Sequence, residues 1–196
     1  MKIIDISQEV LSAHVYEGDP TPKGERIVDM ENGEMYNLSV FSMCAHNGTH
    51  IDAPLHFFKD GRAVHEIPLE YFVGECYVAE GNGDISATEA REIIRKATEK
   101  GAQKRILIKG NATVTEDAAR VFAESDILLI GNESQSVGPI DAPMAVHKIL
   151  LSKNIVLLEG IVLDEAKEGR YILNCAPLNF KKFDGAPCRA ILIEES

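Results

Sequence analysis

Three of the six histidines of this 196-residue chain fall within eleven residues, His46-Asn47-Gly48-Thr49-His50-Ile51-Asp52-Ala53-Pro54-Leu55-His56, together with a carboxylate. Imidazole and carboxylate are the ligands that zinc, manganese and iron take where no thiolate is offered. A lone histidine is ordinarily a surface group or a hydrogen-bonded core group. Three of them clustered with an aspartate point to a metal site, with a hydrogen-bonded polar strand face as the alternative.

His46, Gly48, His50, Asp52, Pro54 and His56 all occupy even positions. In an extended chain they share one face, while Ile51, Ala53 and Leu55 point into a core. A straight strand nevertheless cannot wrap one ion. His46 and His50 would stand about 13 Å apart, whereas ligands lie about 2 Å from their metal. The chain must bend between them, and Gly48 is the residue best able to do so. His50 and Asp52, about 6.6 Å apart along a strand, reach one ion without a bend. Pro54 has no N–H to give to a ladder, so the strand ends or kinks before His56.

Other polar groups carry weaker signals. His14 precedes a polar turn and His65 lies among charged residues, so both read as surface groups. Asp19 and Thr49 are candidates to line a pocket or brace a ligand, since ligating histidines usually have partners behind them. For Asp19, forming the turn is the alternative. Cys44, Cys76, Cys175 and Cys188 lie far apart without a C-x-x-C pair and read as free thiols, not as a zinc knuckle.

The elements that must position these groups follow from periodicity. Lys2–Ser7 alternates apolar and polar residues and reads as a strand, and Tyr16-Glu17-Gly18-Asp19-Pro20 as a turn. Tyr71–Glu80 is expected to be a strand. Ser86 and Glu89 make a capping box ahead of a helix carrying Ala90, Ile93, Ile94 and Ala97 on one face, with Gly101 as its stop. Arg105–Lys109 is expected as a buried strand. Thr113 and Glu116 give the same capping signature before a second helix through Ala118, Val121 and Phe122. Asp126–Gly131 reads as another buried strand. Asp141-Ala142-Pro143 opens a third helix that carries His147. An apolar strand, Ile155–Leu158, then ends at Glu159, and Cys188–Glu194 closes the chain as a strand. Helices alternating with buried strands indicate an α/β fold with a mixed, partly parallel sheet, in a single domain over residues 1–196.

Composition bounds the function classes. With 45% hydrophobic and 26% charged residues the chain can bury a core, which excludes a disordered protein. A formal net charge of −11 repels phosphate backbones and anionic lipid, so nucleic acid and membranes are not expected as partners. There is no long charge-free apolar run, and Met1-Lys2-Ile3-Ile4-Asp5-Ile6 lacks a signal peptide's apolar stretch. The expected location is the cytoplasm.

His46-x-Gly48-Thr49-His50-x-Asp52-x-Pro54-x-His56 resembles, letter for letter, the H-x-G-T-H-x-D-x-P-x-H motif of the cyclase-like metal hydrolases, the family of bacterial kynurenine formamidase and isatin hydrolase. Further segments resemble that family: Asp5-Ile6-Ser7, Gly18-Asp19, Gly61 through Ile67-Pro68-Leu69 and Gly74, Gly131–Val137, His147-Lys148-Ile149-Leu150-Leu151 followed by Glu159, Pro177-Leu178, and Gly185-Ala186-Pro187-Cys188-Arg189-Ala190.

The resemblance implies a swivelling β/β/α fold and dimers or larger oligomers. It implies a divalent metal, zinc or manganese, as one or two ions. His46, His50 and Asp52 match the ligands of the first metal. His56 matches a histidine that moves protons near the metal's water, and His147 and Glu159 complete the site, holding a second metal in some members. The implied activity is hydrolysis of an amide bond in a small molecule, as by an arylformamidase. The alternatives are ring opening of a cyclic amide such as isatin, a dehydratase or cyclase reaction, and a non-catalytic metal-binding relative. Two departures concern the substrate. Tyr16-Glu17 stands where many members have tryptophan and proline, and Glu133 stands at the usual aspartate of the G-x-D segment.

Overall fold

The strands of this chain are short and mostly apolar, and three helices join those that run parallel. A computed structural model describes residues 1–194; residues 195 and 196, the end of the expected domain, lie outside the described residues. β1 (Lys2–Asp5) opens the chain, and β2 (Lys23–Val28) and β3 (Leu38–Ser42) pair as an antiparallel hairpin outside the main sheet. β4 (His50–Asp52), β5 (Val73–Glu80), β6 (Gly83–Ile85) and α1 (Ala87–Glu99) follow. The alternating middle consists of β7 (Arg105–Lys109), β8 (Ala112–Val114), α2 (Glu116–Ala123), β9 (Leu129–Asn132), α3 (Met144–Leu151) and β10 (Val156–Glu159). β11 (Gly169–Asn174), β12 (Gly185–Pro187) and β13 (Ile191–Glu194) complete the described chain.

Nine strands form one mixed sheet in the order β1-β13-β11-β5-β7-β9-β10-β4-β12. β5, β7, β9 and β10 pair in parallel, and α1, α2 and α3 are the crossovers that parallel pairing requires. The outer pairs are antiparallel. The α/β fold with a mixed sheet is therefore the one expected.

The central strands bury both faces, which explains runs such as Ile106-Leu107-Ile108. Tyr77, Ile106, Ile108, Ile130 and Leu157 meet the helices through Ala90, Ile93, Phe122, Val146 and Leu150. Val78, Leu107, Leu129, Val156 and Leu158 face the other way. That second face is covered largely by the ends of the same sheet. Ile4, Leu173 and Leu192 from one end and Ile51 and Ala186 from the other share its core, so the sheet curls. The Cys188 amide donates to the Thr49 carbonyl at 3.0 Å and the Val162 amide to the Ile6 carbonyl at 2.9 Å, tying the curl shut.

Local chemistry sets most boundaries. The Ser86 amide donates to Glu89 Oε2 at 2.8 Å and the Glu89 amide to Ser86 Oγ at 3.3 Å, the reciprocal capping expected at α1. At α2 the expectation needs correction: Thr115, not Thr113, is the cap, accepting from the Ala118 amide at 3.2 Å. Thr113 lies in β8, paired in parallel with β6, so a tertiary strand takes the residue that the S/T-x-x-E spacing singled out. Other expected strands are trimmed: regular structure starts at Val73, Leu129 and Ile191, and Cys188 makes only an isolated bridge to Pro177. The even-position face is also shorter than a single strand would make it. Only His50–Asp52 pairs as a strand, and Pro54–His56 is a turn of 3₁₀ helix with Pro54 at its start.

Candidate metal centre

The site lies at the carboxyl ends of β9 and β10, where open α/β sheets bind their ligands. Antiparallel register sets His50 of β4 directly opposite Glu159, the last residue of β10. β12 pairs on the other side of β4, with Pro187 opposite His50 and Gly185 opposite Asp52. Gly48, at φ +64°, supplies the bend between the first two histidines, and their ring centroids come to 5.3 Å instead of the separation a strand would impose. Gly185 is needed for a different reason. A Cβ there would lie 2.6 Å from His46 Cε1, so only glycine lets that ring lie against β12.

Two carboxylates stand at the centre, Asp52 at 1% exposure and Glu159 at 2%. Asp52 Oδ1 lies 2.6 Å from His46 Nδ1 and 3.4 Å from His50 Nε2, and its Oδ2 lies 3.4 Å from His147 Nε2. Glu159 meets His50 Nε2 at 3.5 Å and His147 Nε2 at 3.2 Å, and accepts from the Val137 amide at 2.7 Å. His56 Nε2 is 4.0 Å from Asp52 Oδ2, and the His56 ring stacks on His46 at 4.1 Å. The structure thus brings together all six residues singled out in the sequence: His46, His50, Asp52, His56, His147 and Glu159.

Ligand atoms of His46, Asp52 and His56, and separately of His50, Asp52 and Glu159, all lie within 4.8 Å of one another. The donor set fits a divalent metal on a further observation. His50 Nδ1 donates to the Gly48 carbonyl and His147 Nδ1 to the Pro143 carbonyl, both at 2.9 Å. Those bonds fix Nδ1 as a donor, so that loss of the Nε2 proton would free a lone pair on the side of the two carboxylates.

Electrostatics reflects the crowding of charge. Burial disfavours protonation of His46, His50 and His147. Hydrogen bonds that the rings donate outweigh it, to Asp184 and Asp52 at His46 and to Asp52 and Glu159 at the other two, raising each to about 10. Burial likewise opposes ionisation of Asp52 and Glu159, and at Glu159 so does the Asp52 charge. Hydrogen bonds from the histidines prevail and hold both below their ordinary values.

Sequence reasoning missed Asp184. Its Oδ2 lies 2.8 Å from His46 Nε2 and 3.2 Å from His56 Nδ1, and those two contacts hold its carboxyl well below the usual range. Nothing local marks it: it comes within reach only because it precedes β12, where its carbonyl accepts from the Ala53 amide at 2.9 Å. Among the weaker candidates, Thr49 is a brace, donating to the Gly160 carbonyl at 2.6 Å and accepting from the Gln8 amide at 2.9 Å. Asp19 both closes a turn onto Tyr16 and lines the pocket beside Cys44. His14 is exposed, and His65 Nδ1 accepts from the Lys182 amide, outside the site. Glu133 accepts from the Gly110 and Leu163 amides at 2.6 and 2.8 Å and does not line the pocket, so its departure from the motif does not act on substrate directly. The pocket holds about 240 Å³ and is walled by Tyr16, Phe57, Gln135, Ser136 and Pro143 around the histidines and carboxylates.

A curled α/β sheet with buried imidazoles and carboxylates converging at its strand ends defines a metal-binding enzyme scaffold. The chain belongs to the Cyclase family ("Putative cyclase"), whose model matches residues 4–139. It is 32% identical over 208 residues to a kynurenine formamidase of Salinibacter ruber, an alignment covering 98% of this chain and 97% of that one. A solved structure described as a potential metal-dependent hydrolase with cyclase activity is 29% identical, with a TM-score of 0.81 over 100% of this chain and 99% of that one. Isatin hydrolase A from Labrenzia aggregata, bound to benzyl benzoate, shares the fold at 22% identity and TM-score 0.86, over 99% and 94% of the two chains. Family and donor set together support a divalent metal as the cofactor. No described helix is long and apolar enough to cross a membrane.

Proposed function

We propose that the chain is a metal-dependent hydrolase of small amides, with a formamide such as N-formylkynurenine as its first candidate substrate. His46, His50 and Asp52 would hold a first divalent ion, and His147 and Glu159 would complete the site for a second. Zinc and manganese both suit imidazole and carboxylate donors. The observation that carries this reading is the pair of anchored imidazoles, His50 and His147, facing two buried carboxylates inside a pocket with room for a ligand.

A bound divalent ion supplies Lewis acidity, polarising a carbonyl and acidifying water. The chain's own residues do the rest. His56 takes the proton of the attacking water and returns it to the leaving nitrogen, so that amide and water give a carboxylic acid and an amine. Asp184 holds His56 through Nδ1 and leaves Nε2 turned toward Asp52. Phe57 packs edge-on to His56 at 4.6 Å and lies 5.0 Å from His147, giving the pocket an apolar wall beside both rings.

The test is hydrolysis of N-formylkynurenine by protein stripped with a chelator and then resupplied with zinc or manganese. Formate release is expected only with metal restored. Metal that binds without any turnover would exclude this substrate and direct the search to cyclic amides, which the compact pocket also suits.

The same proposal includes a homodimer. The β2–β3 hairpin exposes Ile27, Leu38, Val40 and Phe41, the last at 67%, and Val40 and Phe41 line a groove of about 920 Å³ that contains none of the histidines. A two-stranded ribbon is marginal alone, and a self-complementary two-fold contact with a second copy would cover it. Phe41→Glu is expected to shift the protein from dimer to monomer in sedimentation. A wild type that already sediments as a monomer at micromolar concentration would rule this out. A cytoplasmic setting fits the four free thiols.

A further inference from the structure

The Val137 amide that holds Glu159 Oε1 at 2.7 Å belongs to the same peptide unit as the Ser136 carbonyl, which accepts from Asn132 Nδ2 at 3.1 Å. A peptide unit is planar, so a bond that holds its carbonyl also aims its N–H. Hydrogen bonds in series also polarise one another, and the first strengthens the second. Asn132 is 1% exposed, and its Nδ2 donates to the Ala112 carbonyl of β8 as well, at 3.3 Å. Both partners are carbonyls, which fixes the side chain with Nδ2 toward them. Its Oδ1 is buried with no partner among the described residues. An unpaired buried acceptor is costly. What an asparagine supplies here, and an apolar side chain of the same shape would not, is its two donated bonds. The rest of the loop is fastened around Glu159. The Gly160 amide donates to the Ser134 carbonyl at 2.8 Å, and the Val114 amide to the Val137 carbonyl at 2.9 Å.

We propose that Asn132 is a positioning residue for the metal centre, setting the rotation of the Glu159 carboxylate through the Ser136–Val137 peptide. With Oε1 held by the Val137 amide, Glu159 presents Oε1 to His147 Nε2 at 3.2 Å and Oε2 to His50 Nε2 at 3.5 Å. A carboxylate free to turn would match that pair of imidazoles only part of the time, and an ion shared with them would be held less tightly. The inference rests on the metal-site reading above and deepens it. It places a determinant of metal affinity on β9, outside the His46–His56 run. Asn132 does not line the pocket, so its effect on metal is separable from any effect on substrate.

The test uses Asn132→Leu, which keeps the shape of the side chain and removes both donors. Zinc affinity is measured on stripped protein by competition with a chromophoric chelator, and the Val137 amide is followed by NMR in the metal-free protein. In wild type that amide is expected downfield and protected from exchange, and in Asn132→Leu it should move upfield. Zinc is expected to bind about tenfold more weakly, the lower end of the 10–100-fold range for groups behind metal ligands, because Asn132 stands one bond further back. In a Glu159→Ala background the same substitution should cost less than about twofold, since no carboxylate is left to turn. An unmoved Val137 amide, zinc affinity within about twofold of wild type, or a loss that multiplies in Glu159→Ala overturns the proposal. A fast-exchanging Val137 amide in wild type does so without any variant. Wild-type protein that takes up no zinc removes the metal-site reading instead, and the Val137 shift still decides whether Asn132 orients Glu159.

Discussion

Asp52→Asn is expected to reduce metal content to background and turnover by at least about 10³-fold, since metal polarisation supplies several kcal/mol of barrier lowering and each ~1.4 kcal/mol is tenfold. The side chain keeps its shape and loses only its charge, at the one residue common to both groups of ligand atoms. Metal analysis after dialysis and a turnover assay together check this; a variant that retains full metal content would show that Asp52 is not a ligand. The metal-free protein carries a second signature. His46, His50 and His147 sit near 10 in the folded state through their carboxylate partners, above the ordinary histidine value of about 6.5. Groups raised in this way stabilise the fold fully below their unfolded value and lose that contribution as pH rises toward 10. Asp52 is depressed, so its share is present above its unfolded value of about 3.9 and fades in acid. The stability lost in Asp52→Asn is therefore expected to be largest between about pH 4 and 6.5 and to shrink toward pH 10. It should reach no more than about 3 kcal/mol, because Glu159 continues to pair two of the three histidines. Urea unfolding of both metal-free proteins across that range measures the gap.

What the sequence made legible follows from how local each signal is. The His46–His56 run holds four of the six singled-out residues inside eleven positions, and its glycine and proline each announce a departure from a straight strand. The capping box at Ser86, the stop at Gly101 and the apolar runs of β7, β9 and β10 are equally local, and they place the three crossovers that make the sheet mixed. His147 and Glu159 are distant from the motif, and residue chemistry alone would not have joined them to it; the family resemblance did. Asp184 lay beyond both routes. It is 128 residues from His56, and only the pairing of β12 with β4, itself three residues long, delivers it. The β2–β3 hairpin was illegible for a different reason. Its strands mix Lys23, Glu25 and Arg26 with Val28, Val40 and Phe41 and bury no face within one chain, so the alternation that identifies a half-buried strand is absent. Thr113 and Thr115 show the limit of a capping signature: spacing favours the first, and the parallel partner β6 assigns the role to the second.

His56→Ala is expected to lower turnover by about 10²–10⁴-fold, the usual contribution of a general acid–base, with metal content retained. Retention is expected because the proposed ligands, His46, His50, Asp52, His147 and Glu159, do not include His56, and His50, His147, Asp52 and Glu159 meet one another without it. Loss of metal instead would make His56 a ligand and move the proton-transfer role elsewhere. Asp184 separates the same alternatives by a graded series. The Asp184→Asn side chain still offers an oxygen to His56 Nδ1, so a loss of about tenfold is expected, whereas Asp184→Ala frees both stacked imidazoles and should approach the upper end of the 10–100-fold range for such supporting groups. The informative quantity is how the two substitutions combine. If Asp184 acts by holding His56, then in a His56→Ala background Asp184→Ala should cost little further turnover, because there is no ring left to orient. If the two losses multiply instead, Asp184 works through His46, whose Nε2 it also meets at 2.8 Å, and the metal content of Asp184→Ala should then fall as well.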